Sequence, residues 1–301
     1  MISLGTSVGE LKLDRPGMLA SGIMDETGGS MVRVLRSGAG AVVTKSIGSK
    51  PNPGHRNPTF TEVKSGFINA MGLPNQGIEL FGEEMAVATK EGTVIGSIYG
   101  ASAKEFADLA TKMEGYGASA VELNLSCPHA KGYGMEVGTD PKIVSEIVST
   151  VKDAVNIPVW SKLTPNTHLL KDIGLAVQEA GGDAIVAINT VKAMAISPEF
   201  GKPILSNKFG GLSGPAIRSI GVRAIFDLKS VLDIPLIGVG GISDWRDAAQ
   251  YIMAGASAYQ IGSAVANKGI KVFDTINKDL ERFMSDFGYS SIKDMVGVAH
   301  E

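Results

Sequence analysis

The sequence contains a single cysteine, Cys127, among 301 residues. One thiol cannot form an internal disulfide, and it cannot hold an iron–sulfur cluster, which needs several cysteine ligands. If the protein transfers electrons to such a cluster, another chain must therefore carry it. With no second cysteine nearby, a metal site at Cys127 is also disfavoured, and we expect no metal.

Long apolar runs and an excess of positive charge are missing as well. No stretch of 18 consecutive apolar residues occurs, and residues 1–14 lack the basic start and apolar block of a secretion signal. The formal net charge is −3, which leaves no general basic field for a polyanion. We therefore expect a cytoplasmic protein that acts on small molecules, with no nucleic acid and no membrane among its partners.

What the sequence has in abundance is apolar strands separated by amphipathic helices. Runs of five to eight apolar residues alternate with helical patterns, and this alternation is typical of parallel crossover units. The pattern predicts an α/β protein, a (β/α)₈ TIM barrel formed by a single domain over residues 1–301, with an open doubly wound sheet as the alternative. The predicted strands are at residues 17–22, 39–46, 93–100, 121–127, 157–164, 184–190, 234–242 and 258–264.

Three segments fall outside this alternation. Residues 2–13 show short alternating pieces broken by glycine, which predicts a small N-terminal β-hairpin that closes the bottom of the barrel. Residues 47–77 and 191–215 are long connections without helical periodicity. Connections of this length inside a compact domain are usually functional, so we expect them as inserted loops at the C-terminal face of the barrel.

Polar residues gather where the predicted strands end, which is where an α/β barrel carries its chemistry. Lys45 and Lys162 each end an apolar strand, where an ammonium group needs a partner. Glycines end the last two strands, and loops at that place often bind phosphate through their backbone N–H groups. Neutral amides and hydroxyls complete a pocket suited to a planar anion with carbonyl and N–H groups, and they are at Asn69, Asn124, Asn189 and Thr190.

Cys127 follows one of these strands directly. Such a thiol can act as a nucleophile or as a proton-transfer base, although a buried, chemically inert cysteine is an equally common case.

Taken together, these motifs resemble the dihydroorotate dehydrogenase family, and the match runs in order from about Ser21 to Val265. The thiol at position 127 is similar to that of the class 1 enzymes, and the Asn-Thr pair and the Gly-Gly-Leu-Ser-Gly run are most like the class 1B catalytic subunit. The motifs are Asn69-Ala-Met-Gly-Leu, Asn124-Leu-Ser-Cys-Pro, Lys162, Asn189-Thr, Gly210-Gly-Leu-Ser-Gly-Pro-Ala-Ile-Arg218, Gly238-Val-Gly-Gly-Ile242 and Ile261-Gly-Ser263.

The resemblance implies oxidation of dihydroorotate to orotate with FMN, a step of de novo pyrimidine biosynthesis. Cys127 would remove the C5 proton while hydride passes from C6 to flavin N5, and Lys162 would lie by the N1/O2 edge of the ring. The substrate would be held by Lys45, Asn69, Ala70, Met71, Gly72, Leu73, Asn124, Asn189 and Thr190. The flavin would contact Ser21, Lys45, Ser46, Ser97, Asn124, Lys162, Ile188, Gly214, Gly240, Gly241, Gly262 and Ser263, the last four at its phosphate.

Partners and acceptor also follow from the resemblance. It implies a homodimer, extended to a heterotetramer if an iron–sulfur and FAD electron-transfer subunit passes the electrons to NAD, whereas class 1A enzymes use fumarate directly. Residues 128–141 contain three glycines and are predicted to form a lid over the site.

One departure from the family pattern leaves other functions open. His129 replaces the asparagine that many class 1 enzymes carry, and a similar Cys-Pro-His occurs in dihydropyrimidine dehydrogenases. Oxidation of dihydrouracil or dihydrothymine is therefore the alternative. A flavin-binding barrel without turnover and a tRNA-modifying barrel fit the residues less well.

Overall fold

The computed structural model describes residues 2–125 and 137–301. Eight parallel strands close into a barrel in which each strand pairs with the next barrel strand along the chain, and the last pairs with the first. This confirms the predicted (β/α)₈ barrel, and the open sheet is wrong. The barrel strands are β3 (Gly17–Leu19), β4 (Ala41–Val43), β7 (Val94–Ile98), β8 (Ala120–Asn124), β9 (Val159–Leu163), β10 (Ala184–Ala187), β15 (Leu236–Val239) and β16 (Ala256–Ile261).

Helices cover the outside of the barrel, and local sequence signals mark where several of them begin. Ser102 and Asp140 cap two helices by accepting hydrogen bonds from the backbone, and Asp244 forms a capping box with Asp247. None of the helices in the described ranges is long and apolar enough to cross a membrane. The helices are α1 (Gly28–Leu35), α2 (Ile78–Ala88), α3 (Ala103–Gly115), α4 (Pro141–Ala154), α5 (Leu170–Glu179), α6 (Arg218–Lys229), α7 (Trp245–Met253), α8 (Ala264–Lys268) and α9 (Val272–Phe287).

The inside of the barrel is filled by alternate strand residues. Met18, Trp160 and Val186 belong to one buried cluster, which also includes Val8 and Leu13. Val8 and Leu13 come from the predicted N-terminal hairpin, formed by β1 (Thr6–Val8) and β2 (Leu11–Leu13). The hairpin therefore packs against the apolar interior, and polar chemistry is left to the opposite end.

The two long connections contain strands that the sequence patterns did not predict. Their ranges are β5 (Phe60–Val63), β6 (Gly66–Asn69), β11 (Val191–Ala193), β12 (Ile196–Ser197), β13 (Lys202–Pro203) and β14 (Gly210–Ser213). Four of these strands form an antiparallel sheet in the order β11-β14-β6-β5, and β12 pairs with β13.

Glycine is what lets these strands approach one another. A Cβ atom at Gly210 would lie 2.3 Å from the carbonyl oxygen of Asn69, and one at Gly211 would lie 2.0 Å from Oγ1 of Thr190. Any larger residue would push the sheet apart. The Gly-Gly pair thus fixes the positions of Asn69 and Thr190 beside the barrel mouth.

Candidate active site

A cavity of about 700 Å³ opens at the C-terminal end of the barrel. Its walls come from the ends of seven barrel strands and from the antiparallel sheet of the two insertions. This volume lies within the range typical of sites for small molecules and cofactors. The position agrees with the end of the barrel where enzymes of this fold carry their active sites.

A lysine and two acidic residues lie at one side of the cavity. Lys45 is only 6% exposed, and its Nζ lies 3.5 Å from Oε1 of Glu26. Asp25 is 1% exposed, its Oδ2 accepts a hydrogen bond from the backbone N–H of Gly22, and its Oδ1 has no partner among the described residues. Burial raises the pKa of Asp25 to about 6, while the Gly22 hydrogen bond and the charge of Lys45 act in the opposite direction. At neutral pH a buried carboxylate therefore accompanies the Lys45 ammonium.

Three serines and one asparagine form a hydrogen-bonded group next to Lys45. The hydroxyl of Ser46 lies 2.9 Å from that of Ser97 and 3.3 Å from that of Ser21. Asn124 donates to the same oxygen over 3.0 Å. Ser97 is completely buried and does not line the cavity, so it supports Ser46 from behind. This network fixes the Ser46 hydroxyl and the Asn124 amide at the cavity wall.

The second lysine of the site, Lys162, extends from β9 through the inside of the barrel towards the cavity. Lys162 lines the cavity and is 6% exposed. Its Nζ lies 3.3 Å from Oε1 of Gln260 and 3.5 Å from Oε1 of Glu122, both of which are completely buried. These two oxygens lie below the ammonium group and compensate for the loss of its hydration on burial.

The glycines that end β15 and β16 form a backbone-lined part of the cavity. At Gly241 φ is +71°, and a Cβ atom there would lie 2.7 Å from the carbonyl oxygen of Gly214. Within residues 2–125 and 137–301, the backbone N–H groups of Gly241, Gly262 and Ser263 have no hydrogen-bond acceptor. Tyr251 donates a hydrogen bond of 2.7 Å to the carbonyl oxygen of Gly240 and holds this turn in place. Unpaired backbone N–H groups in a glycine-rich turn suit a phosphate group.

The amide side chains meet on the side of the inserted sheet. Asn69, at the end of β6, has its Nδ2 3.5 Å from the carbonyl oxygen of Gly211. Asn189 accepts a hydrogen bond of 2.8 Å from the backbone N–H of Thr190. Asn166 donates to the carbonyl oxygen of Thr190 over 3.0 Å and so ties this loop to the end of β9. Donors and acceptors therefore surround the space between the two lysines.

Comparison with known proteins agrees with this geometry. The sequence profile of the family described as dihydroorotate dehydrogenase matches residues 3–284. The chain belongs to the dihydroorotate dehydrogenase family.

Three relatives within this family carry the name dihydroorotate dehydrogenase B (NAD(+)), catalytic subunit. The protein of Pyrococcus abyssi is 52% identical over 289 residues, which cover 96% of both chains. That of Methanocaldococcus jannaschii is 50% identical over 303 residues, 99% of this chain and 98% of the relative. That of Thermoplasma acidophilum is 49% identical over 300 residues, 99% of each.

The structure brings together nearly all site residues that the sequence predicted. Apart from Ser97, every predicted residue in the described ranges lines the cavity. The predicted base Cys127, its neighbour His129 and most of the predicted lid lie outside the described residues. The roles assigned to individual residues stay predictions.

Sequence reasoning missed several residues of the cavity wall. Thr164 and Asn166 come directly after the end of β9, close to Lys162, so the strand-end criterion could have found them. His55 lines the cavity from within the first insertion, and its Nδ1 lies 3.1 Å from the carbonyl oxygen of Ala70. Nothing in the irregular sequence around His55 indicates that position. Glu122 and Gln260, which lie beneath the cavity wall, were missed because their partners become apparent only once the barrel closes.

Proposed function

We propose that this chain oxidises dihydroorotate to orotate with FMN, as the catalytic subunit of an NAD-linked dihydroorotate dehydrogenase in pyrimidine biosynthesis. The observation that carries the proposal is one cavity in which Lys45, Lys162 and a set of amides converge. The names of the relatives support the same substrate and the same acceptor.

The proposed substrate fits the side of the cavity near Lys45. Dihydroorotate carries a carboxylate that dihydrouracil lacks, and Lys45 supplies a buried cation for it. Asn69, Asn124 and Asn189 would pair with the carbonyl and N–H groups of the pyrimidine ring, with Thr190 beside them and residues 70–73 completing the wall. Because amide groups both donate and accept hydrogen bonds, they can pair with both kinds of polar group on the ring without adding charge to the site.

The proposed cofactor fits the opposite side. The glycine-lined turn formed by Gly214, Gly240 and Gly241, with Gly262 and Ser263 next to it, offers N–H groups to the FMN phosphate. Lys162 would lie at the edge of the flavin where negative charge develops on reduction, and a fixed cation there stabilises that charge. Ser21, Ser46 and Ile188 would contact the ring. Bound FMN supplies a hydride acceptor at N5, which no side chain can provide.

The protein's own chemical step would be the removal of one proton. Cys127, as thiolate, would take the proton from C5 while the hydride leaves C6, so that the C5–C6 bond becomes double. The two electrons held by the reduced FMN then need an acceptor, and an iron–sulfur cluster in that role would have to lie on another chain, because one cysteine cannot hold it. We infer an iron–sulfur and FAD partner subunit that delivers them to NAD, in a heterotetramer built on a homodimer.

Ligand binding with a lysine variant tests the substrate assignment. Orotate and uracil would each be titrated into the purified yellow protein, and the change in flavin absorbance would be followed. Because a charge-assisted hydrogen bond contributes about 1.5–3 kcal/mol, Lys45→Met should weaken orotate about 10- to 100-fold and leave uracil nearly unchanged. Lys50→Met, at an exposed lysine nearby, is the matched control. Equal loss of both ligands would refute the role of Lys45, and preference of the native protein for uracil would favour the dihydropyrimidine alternative.

A further inference from the structure

Three polar side chains are buried together at the cavity floor, where Lys162 faces the cavity and the other two lie beneath it. Glu122 of β8, Lys162 of β9 and Gln260 of β16 all point into the barrel. Asn124 pairs in register with Lys162, and Glu122 pairs with Trp160, so Glu122 lies one inward position deeper than the cavity wall. Gln260 reaches Glu122 from a strand on the other side of the barrel.

Gln260 contacts both of the other side chains, and its amide orientation is set by Glu122. Nε2 of Gln260 donates to Oε2 of Glu122 over 2.6 Å, which turns the amide so that its Oε1 faces Lys162. The other oxygen, Oε1 of Glu122, accepts no hydrogen bond within the described residues, and the Lys162 ammonium is 3.5 Å away. Two oxygens thus hold the ammonium from below, and its remaining donor capacity is left for the cavity.

Few other charges surround this group. At this level the neighbouring strands contribute apolar or small side chains, among them Val186 of β10 and Val239 of β15, and Ala20 follows the end of β3. The other titratable or charged groups described near the cavity are Lys45 with Asp25 and Glu26, His55 and Lys192 at the outer wall, and the ion pair of Arg218 with Asp247 behind Gly241. Within the described chain, Glu122 is therefore the one anion that forms an ion pair with Lys162.

The complete burial of the Glu122 carboxylate calls for a functional explanation. An isolated buried charge is costly, and removing one partner of a buried pair typically destabilises a protein strongly. Apolar side chains would avoid this cost altogether, as they do through most of the barrel interior. The pair makes sense if the protein needs a permanently protonated lysine at this place.

We propose that Glu122 and Gln260 are positioning residues that keep Lys162 protonated and directed into the cavity in both redox states of the cofactor. This inference rests on the proposed binding of FMN. With Lys162 already protonated, reduction by two electrons takes up one proton, at the cofactor itself. Without the carboxylate, the lysine gives up its proton while the cofactor is oxidised and regains it when the ring becomes negative, so reduction takes up two protons.

The midpoint potential of the bound flavin, measured against pH, tests this directly. For a two-electron couple each proton taken up adds about 30 mV per pH unit, the value of a tenfold change in equilibrium constant. We expect a slope of about 30 mV per pH unit in the native protein and a slope approaching 60 mV in Glu122→Gln at alkaline pH. Glu122→Asp should return the slope towards the native value, and Glu10→Gln, at an exposed carboxylate, should leave it unchanged. The same slope in the native protein and Glu122→Gln would overturn the proposal.

A second measurement separates this inference from the proposed function. Chemical reduction of the flavin needs no dihydroorotate, so the slope can be measured even if the protein does not turn that substrate over. If the chain binds no flavin, acylation of Lys162 in the apoprotein, followed by mass spectrometry, gives the readout. Glu122→Gln should make Lys162 react at least tenfold faster near pH 8, and an unchanged rate would overturn the pairing.

A double variant covers the case in which Glu122→Gln does not fold. Removing both charges with Glu122→Gln and Lys162→Met should give a protein that melts higher than either single variant, because no buried charge is left unpaired. A double variant that melts no higher than the weaker single variant would also overturn the proposal.

Discussion

Replacing Asp25 with asparagine should stabilise the protein more at neutral pH than in mild acid. The carboxyl group is 1% exposed, and burial raises its pKa from 3.8 to about 6. Asparagine has the same shape and keeps an acceptor for the Gly22 N–H. The substitution therefore removes mainly the ability to become charged.

The direction of the effect follows from proton binding. Between about pH 4 and pH 6 the folded protein keeps the Asp25 proton while the unfolded chain loses it, so stability falls as the pH rises through this window. At 1.36 kcal/mol per pKa unit, the whole shift corresponds to about 3 kcal/mol. Of this, about 2 kcal/mol should develop between pH 4.5 and pH 7, and Asp25→Asn should not show it.

Urea unfolding of both proteins at the two pH values provides the measurement. The difference in the free energy of unfolding, variant minus native, should grow by about 2 kcal/mol from pH 4.5 to pH 7. Comparing the difference at two pH values cancels any constant cost of the amide. A difference that stays constant, or that shrinks towards neutral pH, would refute the assignment of a buried titrating carboxyl at this position.

Two further substitutions test the cavity walls. Gly241→Ala should weaken FMN binding at least tenfold, because φ is +71° and the new Cβ would meet the Gly214 carbonyl oxygen. Gly115→Ala, whose Cβ would meet nothing within 4 Å, should leave the FMN dissociation constant unchanged, and equal effects of both substitutions would contradict the reasoning. Ser46→Ala should weaken orotate about 5- to 10-fold, since Asn124 loses a hydrogen bond of about 1 kcal/mol. Unchanged orotate affinity, measured by titration of the flavin spectrum, would show that this bond does not orient the amide.

The barrel was predictable because its signals are local. Each barrel strand is a short apolar run, and each following helix repeats every three to four residues, so the alternation can be recognised along the chain. Lys45 and Lys162 were found for the same reason, since a charge that ends an apolar run stands out by itself.

The parts that were missed depend on partners far away in sequence. The strands β5, β6, β11 and β14 are only three or four residues long, and Asn69 meets Gly211 across 142 residues. Gln260 binds Glu122 across 138 residues, and that contact exists only because the barrel closes. Glu122 itself was visible in the sequence as the one charged residue within an apolar strand. Without knowledge of the opposite strand, its burial could not be distinguished from an outward-facing position.

Anaerobic mixing of the purified protein, loaded with FMN, with dihydroorotate tests the central claim most directly. We expect rapid loss of flavin absorbance with dihydroorotate, little change with dihydrouracil, and no rapid loss in Cys127→Ala, which should still bind orotate. Bleaching by dihydrouracil in place of dihydroorotate, or no bleaching by either compound in a protein that holds its flavin, would contradict the proposed function.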